Sequence, residues 1–336
     1  MNGLDRWTSI RPVRYRHEVH AVLNELSFRK DHFDIEDVRQ VLIKTSQNRL
    51  SNTFRVLGSG RLKSFDSSKR PPFLTKAEQF LRVFRLTRLA IKDNNGYVIT
   101  DLARELSAMW KKDEVRGPLK FVELLLNSQN ETYFKFLKQL YSTGELEIPR
   151  NLMDRSKDSK VRFFLEEKGF PMSTVSFYIM RDFLYEFYLL NFIDYHSGLK
   201  IFPLYNVESE NCKDAGYKYE LFTPESKICC LKYIALPDFR EKLIKTYLKL
   251  TNGAININIS LLRLRELFSY TYRVTEFEFE LELKELIKEE SLTIRLSSGI
   301  LGAGIAQVSE LKGHTNMVNA YGQPYNIIRI NTGETN

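Results

Sequence analysis

The sequence is poor in the residues that carry covalent chemistry or bind metals. Its 336 residues include three cysteines and five histidines. Of the cysteines, Cys212 stands apart, and Cys229 and Cys230 are adjacent. An odd number of cysteines argues against a secreted disulfide framework, and the lack of a C-x-x-C pair argues against a zinc site. We therefore expect buried thiols.

Long apolar runs are also missing. The sequence has no stretch of about 18 apolar residues, which a membrane-spanning helix would need, and its first residues lack the apolar region of a signal peptide. We therefore expect a cytoplasmic protein without a membrane partner.

The common catalytic and cofactor motifs are absent as well. Gly299, Gly302 and Gly304 are not followed by the Lys-Ser/Thr of a P-loop and do not lie in a βαβ pattern. His17 and His20 lack a third ligand at metal-binding spacing. No grouping of Ser, His and Asp suggests an activated nucleophile. The sequence predicts no cofactor and no metal, and it favours a protein that is not an enzyme.

Apolar and basic residues, in contrast, are plentiful. Hydrophobic residues make up 43% of the chain, with 23 Phe and 17 Tyr, and the length suits two or three domains. The formal net charge is +8, and residues 55–92 hold ten bases and two acids, so this segment alone accounts for that charge. Such a basic segment is typical of proteins that bind a phosphate backbone, although a solvated basic face is the alternative.

The basic segment has two parts. Residues 58–73 are rich in Gly, Ser and Lys and predict a basic loop or arm. A helix from Thr75 to about Arg88 follows, and then a β-hairpin across Asp93-Asn94-Asn95-Gly96. The bases expected to contact phosphates are Arg61, Lys63, Lys69 and Arg70 in the arm, and Lys76, Arg82 and Arg85 on the outward side of the helix.

A helix-turn-helix is predicted just before the arm. Its first helix runs from Phe33 to Lys44 with Asp34 as the N-cap, and Thr45 and Ser46 form a break. The second helix would present side chains that pair with base edges and phosphates, namely Gln47, Asn48, Arg49, Asn52 and Arg55.

Helices followed by a β-hairpin occur three times along the chain: in the basic N-terminal part, in the middle, and in the last hundred residues. This order resembles tandem winged-helix domains at about residues 15–110, 130–206 and 237–331. The resemblance implies a mainly α fold with short antiparallel β-hairpins. The domains expected from it are 1–118, 119–210 and 211–336.

One short element allows a narrower comparison. The stretch NNGYVITDLARELSAMW, residues 94–110, is similar to the wing strand and following helix in the DNA-recognition halves of type IIS restriction endonucleases. In those proteins, tandem winged-helix units read the target and a separate nuclease domain cuts it. The resemblance implies a recognition subunit that works with a nuclease or ATPase partner in restriction-modification or antiviral defence.

The third unit differs from the first in its charge. Residues 275–290 contain seven glutamates against Lys284 and Lys288, a net charge of −5, which a phosphate backbone would repel. Interpreted as a helix capped by Thr275, this segment predicts a surface for a basic protein partner, for self-association or for solvent.

The same segment alternates in hydrophobicity, as a strand would. On a strand, Glu282 and Lys284 would form the E-x-K of a metal-dependent nuclease of the PD-(D/E)xK kind, with the carboxylate on Mg²⁺ and the lysine beside the phosphate. The helix is favoured because Glu, Leu and Lys are strong helix formers and no upstream aspartate can be placed.

These patterns together predict a non-enzymatic protein that binds double-stranded DNA as a recognition or adaptor subunit of a restriction or genome-defence complex. Three alternatives stay open. The first is a winged-helix adaptor that binds only proteins, as do subunits of chromosome-organising ATPases. The second is a transcription regulator, and the third is the nuclease that would use Glu282 and Lys284.

Overall fold

A computed structural model describes Val13 and residues 15–57, 73–128, 132–153, 158–194, 197–207, 211–223, 225–289, 293–297, 318–320 and 323–331. The protein is mixed α and β, and the expected short antiparallel strands form sheets of two or three strands. The helices are α1 (Arg16–Ser27), α2 (Ile35–Leu57), α3 (Leu74–Leu86), α4 (Asp101–Lys112), α5 (Arg116–Leu126), α6 (Thr132–Thr143), α7 (Asp158–Glu167), α8 (Thr174–Glu186), α9 (Leu236–Leu250), α10 (Leu261–Tyr272) and α11 (Glu276–Lys288).

The strands are short and lie between or after the helices. They are β1 (Ala90–Asp93), β2 (Gly96–Ile99), β3 (Leu146–Pro149), β4 (Leu190–Asp194), β5 (Gly198–Pro203), β6 (Tyr205–Asn206), β7 (Tyr217–Phe222), β8 (Lys227–Lys232), β9 (Ile259–Ser260), β10 (Thr293–Ser297), β11 (Val318–Ala320), β12 (Gln323–Tyr325) and β13 (Ile327–Asn331).

One order of elements occurs in three segments of the chain. We call them the N-terminal segment (residues 16–99), the middle segment (residues 132–203) and the C-terminal segment (residues 236–331). Each contains a helix, a short strand or bridge, two more helices and a β-hairpin. In each, the short strand or bridge pairs with the last strand of the hairpin: Phe33 with Tyr97, β3 with β5, and β9 with β13.

Local hydrogen bonds explain where α2 begins. The Asp34 carboxylate accepts the backbone N–H groups of Glu36 (2.8 Å) and Asp37 (3.0 Å), and the Asp37 carboxylate accepts the N–H of Asp34 (2.8 Å). This reciprocal cap satisfies N–H groups that have no partner within the helix. Asp34 is therefore the N-cap, as the sequence predicts.

The predicted break in the first helix-turn-helix is wrong. α2 continues without interruption through Thr45 and Ser46, and the Thr45 hydroxyl donates to the Val41 carbonyl at 2.8 Å. A hydroxyl residue lowers helix propensity by only a few tenths of a kcal/mol, so two of them do not end a helix that is otherwise favourable. The predicted pair of short helices is one long helix.

The predicted hairpin after α3 is confirmed. β1 and β2 pair in register from Ala90 with Ile99 to Asp93 with Gly96, which leaves a two-residue turn. Gly96 has a φ of +138°, and a Cβ there would lie 2.9 Å from the Phe33 carbonyl oxygen. Glycine is therefore required where the bridge from Phe33 meets the hairpin.

The cysteine prediction is partly wrong. Cys212 and Cys229 form a disulfide with their Cα atoms 5.2 Å apart, whereas Cys230 is a buried free thiol. Cys229 lies in β8 and Cys212 precedes β7, and these strands are neighbours in one sheet. Strand pairing brings together two cysteines that are 17 residues apart, which spacing alone does not indicate.

The chain divides into two compact units, each made of several stretches of sequence. The first comprises Met1–Phe136, Arg162–Phe187 and Leu221–Glu225, and the second comprises Leu137–Val161, Tyr188–Glu220 and Ser226–Asn336. The predicted division into domains 1–118, 119–210 and 211–336 stays a prediction.

We expect Gly198→Ala to destabilise the protein by roughly 2–3 kcal/mol, because the added Cβ overlaps the Ile148 carbonyl oxygen in the β3–β5 pair and the core must shift. Gly144→Ala is the matched control: Gly144 also has a positive φ, +73°, but nothing lies within 4 Å of its added Cβ, so about 1 kcal/mol is expected. Urea unfolding measures both. Equal losses would contradict the described β3–β5 pairing.

Candidate nucleic-acid interface

The α3 helix has one buried face and one basic exposed face. Phe80, Val83 and Phe84 are buried in the core, whereas Arg82 and Arg85 are exposed. Because successive residues are about 100° apart around a helix, Arg82 and Arg85 share the side that points away from the core. Arg88 follows the end of the helix and is also exposed.

These three arginines line a cleft of about 660 Å³. It lies between the C-terminal end of α3, the start of α4 and the C-terminal end of α5. The full lining is Arg82, Arg85, Leu86, Thr87, Arg88, Leu102, Leu124, Asn127 and Ser128. No acidic side chain belongs to this lining, so the cleft presents three positive charges.

The arginines of the cleft have no internal counter-ion. Over the described residues, no hydrogen bond or ion pair is formed by the side chains of Arg82, Arg85 or Arg88. Other arginines of the N-terminal segment and of α4 are paired: Arg29 with Asp37 (2.7 Å), Arg39 with Glu36 (2.6 Å) and Arg104 with Asp101 (2.8 Å). Unlike these paired arginines, the three guanidinium groups at the cleft make no internal ion pair.

Capping of the helix end does not account for these arginines. Basic side chains often stabilise the last carbonyls of a helix, but here other donors reach those carbonyls. The Val83 carbonyl accepts the Thr87 N–H (3.0 Å) and hydroxyl (2.9 Å), and the Phe84 carbonyl accepts the Leu89 N–H (2.8 Å). The guanidinium groups therefore stay available to an external anion.

Lys76 does not share the exposed face of Arg82 and Arg85, which corrects its placement in the sequence prediction. Its Nζ lies 2.6 Å from Oε1 of Glu18, which is buried, and 5.3 Å from the centre of the Tyr15 ring. Nine residues separate Lys76 from Arg85, about half a turn around the helix axis. Lys76 therefore neutralises an internal carboxylate on the opposite side of α3.

The remaining predicted DNA contacts lie outside the part of the chain whose side chains the structure describes. The backbone of Gln47, Asn48, Arg49, Asn52 and Arg55 is helical, within α2. Arg61, Lys63, Lys69 and Arg70 lie outside the described residues. These contacts stay predictions.

The acidic segment is helical, which confirms the favoured alternative. α11 runs from Glu276 to Lys288, and the Thr275 hydroxyl accepts the Glu278 N–H at 3.1 Å. In a helix, Glu282 and Lys284 are about 200° apart around the axis, so they do not share a face. The strand that the nuclease alternative requires is absent here, and the described residues contain no group of three or more His, Cys, Asp or Glu side chains placed to hold a metal ion.

Much of the negative charge on α11 is neutralised internally. Arg265, only 1% exposed in its side chain, pairs with Glu276 at 3.3 Å and with Glu280. Glu278 pairs with Lys218 at 2.7 Å. The net charge of the segment counts all of its glutamates alike, and sequence could not reveal their partners on α10 and β7.

Comparisons with protein-family models, with curated proteins and with solved structures found no match for this chain. The likeness to winged-helix and restriction proteins therefore rests on the residues themselves. Within the described residues, no helix is both long enough and apolar enough to span a membrane.

We expect Lys76→Met to destabilise the protein by roughly 2–3 kcal/mol, because it leaves the Glu18 carboxylate buried without its cation. The matched control on the same helix is Arg82→Met, which removes an exposed, unpaired charge and should change stability by less than about 0.5 kcal/mol. Chemical unfolding measures both variants. Similar effects of the two changes would contradict the different environments described for these bases.

A second prediction concerns Glu282, which is 8% exposed. Burial, reinforced by the nearby Glu278 carboxylate, raises the pKa of Glu282. A raised folded-state pKa means that ionisation opposes folding. The penalty is absent below the unfolded-state pKa of about 4.3 and develops as the pH rises through the folded-state value.

Glu282→Gln should therefore raise the thermal unfolding midpoint at pH 8 and have little effect at pH 4. Glu289→Gln, at an exposed position of the segment after α11, is the control and should show no such pH dependence. A benefit of Glu282→Gln that is the same at both pH values would argue against a buried, ionised carboxylate.

Proposed function

We propose that this protein binds double-stranded DNA without catalysing a reaction, and that Arg82, Arg85 and Arg88 contact the phosphate backbone. The observation that carries the proposal is the set of three exposed arginines without acidic partners on and just after α3. Phosphate contacts supply much of the affinity of DNA-binding proteins.

We further propose that the three segments are winged-helix units. Each has the order helix, strand, helix, helix, hairpin, and in each the first strand or bridge pairs with the last hairpin strand. In helix-turn-helix proteins, the helix that enters the major groove has one face in the core and the other facing the DNA. α3 is the third helix of its segment and has such faces.

The distribution of charge supports DNA rather than a protein as the ligand of the N-terminal segment. A protein partner usually presents both basic and acidic groups, whereas a phosphate backbone presents closely spaced negative charges alone. Three arginines around one cleft without a carboxylate among its lining residues suit the second kind of ligand.

The setting is proposed from the resemblance alone. A recognition subunit of a restriction or antiviral-defence complex, with a separate nuclease or ATPase, follows from the similarity of residues 94–110 to type IIS recognition halves. The acidity of the third unit suggested a basic protein partner for its helix. The internal pairing of Glu276, Glu278 and Glu280 weakens the charge argument for it.

The proposal predicts that changing Arg82 and Arg85 to Gln together weakens binding to duplex DNA by at least about 10-fold at low salt. The slope of log K against log salt should become shallower by about 2, because each lost phosphate contact contributes about 0.9. Fluorescence anisotropy over a salt series, on the full chain, measures both quantities.

The matched control changes Arg29 and Arg104 to Gln together, which removes the same charge from ion-paired positions. We expect less than about a 3-fold loss and an unchanged slope. An equal loss in both double variants would mean that net charge, and not the α3 face, drives binding. Undiminished binding of the Arg82 and Arg85 variant would overturn the proposal, and absence of binding by the parent protein would favour the protein adaptor.

A further inference from the structure

A second group of unpaired bases lies on the β10–β13 strand pair of the C-terminal segment. The register places Arg295 directly opposite Arg329. Ile294, Ile328 and Ile330 contribute to the hydrophobic core of this segment. Because side chains alternate between the two faces of a strand, Arg295 and Arg329 lie together on the face that points away from that core.

This juxtaposition is unfavourable unless a negative charge lies nearby. Directly opposed like charges destabilise an antiparallel pair. Across the described residues, neither arginine forms an ion pair or hydrogen bond through its side chain. Other bases of the same compact unit are paired: Arg263 with Glu266 (3.2 Å), Arg273 with Glu145 (3.8 Å) and Lys218 with Glu278 (2.7 Å).

The two arginines also line a small cleft. Its volume is about 250 Å³, and its lining residues are Asn256, Arg295, Arg329 and Asn331. The Asn256 N–H donates to the Ile330 carbonyl at 3.0 Å, and this bond holds the loop before β9 against β13. Asn331 follows Arg329 by two residues and thus shares its face of the strand. The lining combines two guanidinium groups with two side-chain amides and contains no carboxylate.

We infer that this cleft is a binding site for a phosphate oxyanion. Guanidinium groups have only donors, in a planar arrangement that matches two oxygens of a phosphate, and side-chain amides supply further donors. A bound phosphate would compensate the opposed charges of Arg295 and Arg329. The ligand is either a free phosphate ion or a phosphodiester of a nucleic-acid duplex, and the inference does not rest on the function proposed for α3.

In the C-terminal segment, the strand pair and not the helix α11 carries the charge that suits a phosphate. α11 is acidic, and several of its glutamates are buried with internal partners, so this helix is unsuited to a phosphate. The strand pair offers positive charge on a different element. The C-terminal segment therefore binds an anion through its sheet, whereas the N-terminal segment has its unpaired bases on and just after a helix.

The first experiment measures thermal unfolding of the full chain while inorganic phosphate replaces chloride at constant ionic strength. At about ten times its dissociation constant, phosphate should raise the midpoint by roughly 2–4 °C. Arg295→Gln and Arg329→Gln, tested singly, should each lose most of this shift. Without phosphate, each variant should be at least as stable as the parent, because the opposed charges are gone.

Two controls distinguish this site from the α3 cleft and from a general charge effect. Arg240→Gln, at an exposed position of α9, should keep the phosphate shift. The double change of Arg82 and Arg85 to Gln should keep it too. An absent shift in the parent protein, or the same shift in Arg295→Gln and Arg329→Gln as in the parent, would overturn the inference.

The second experiment separates the two sources of phosphate by using a DNA duplex. If the ligand is a phosphodiester, Arg329→Gln should make the salt slope of binding shallower by about 1. If the slope is unchanged while the phosphate shift is lost, the ligand is the free ion. Failure of the α3 proposal would appear as undiminished duplex binding by the Arg82 and Arg85 variant, or as no duplex binding by the parent. Neither result alters the phosphate shift, so the two proposals fail separately.

Discussion

In each of the three segments, the chain after the first helix pairs with the last strand of the hairpin. In the N-terminal segment, Phe33 and Tyr97 exchange two backbone hydrogen bonds of 2.9 Å, although 64 positions separate them in the numbering. This pairing joins the hairpin to the loop before α2. With the apolar face of α3 in the core, Arg82 and Arg85 point away from that core. The unpaired arginines there are consequently available for a ligand.

The pairing of charged groups then separates structural bases from bases that can bind a partner. Lys76 neutralises buried Glu18, and Arg265 neutralises the glutamates at the start of α11. Removing such a base leaves a buried charge, which destabilises the fold. Arg82 and Arg85 make no such contact in the described structure, and their charge contributes little to folding. The same distinction identifies the opposed arginines of the β10–β13 pair.

Features set by neighbouring residues could be predicted from sequence. The β1–β2 hairpin, whose turn ends at Gly96, and the helix cap at Thr275 depend on interactions within a few residues. Both are confirmed. Features set by distant residues could not. The ion pair of Lys76 with Glu18 joins positions 58 apart, so Lys76 was grouped with the wrong face of α3. At Thr45 a local signal was misleading: the hydroxyl residues predicted a break, but the helix-forming residues around them keep α2 continuous. The opposed arginines on β10 and β13 depend on strand register, which no sequence pattern here revealed.

Unpaired arginines, and not basic residues in general, are proposed to contact the phosphate backbone. Arginine-selective modification with phenylglyoxal, read by mass spectrometry with and without a DNA duplex, distinguishes the two cases. If the proposal holds, the duplex protects Arg82, Arg85 and Arg88 from modification, while Arg104, paired with Asp101, reacts to the same extent in both states. Equal protection of Arg104, or no protection of the three arginines when the duplex is bound, would contradict it.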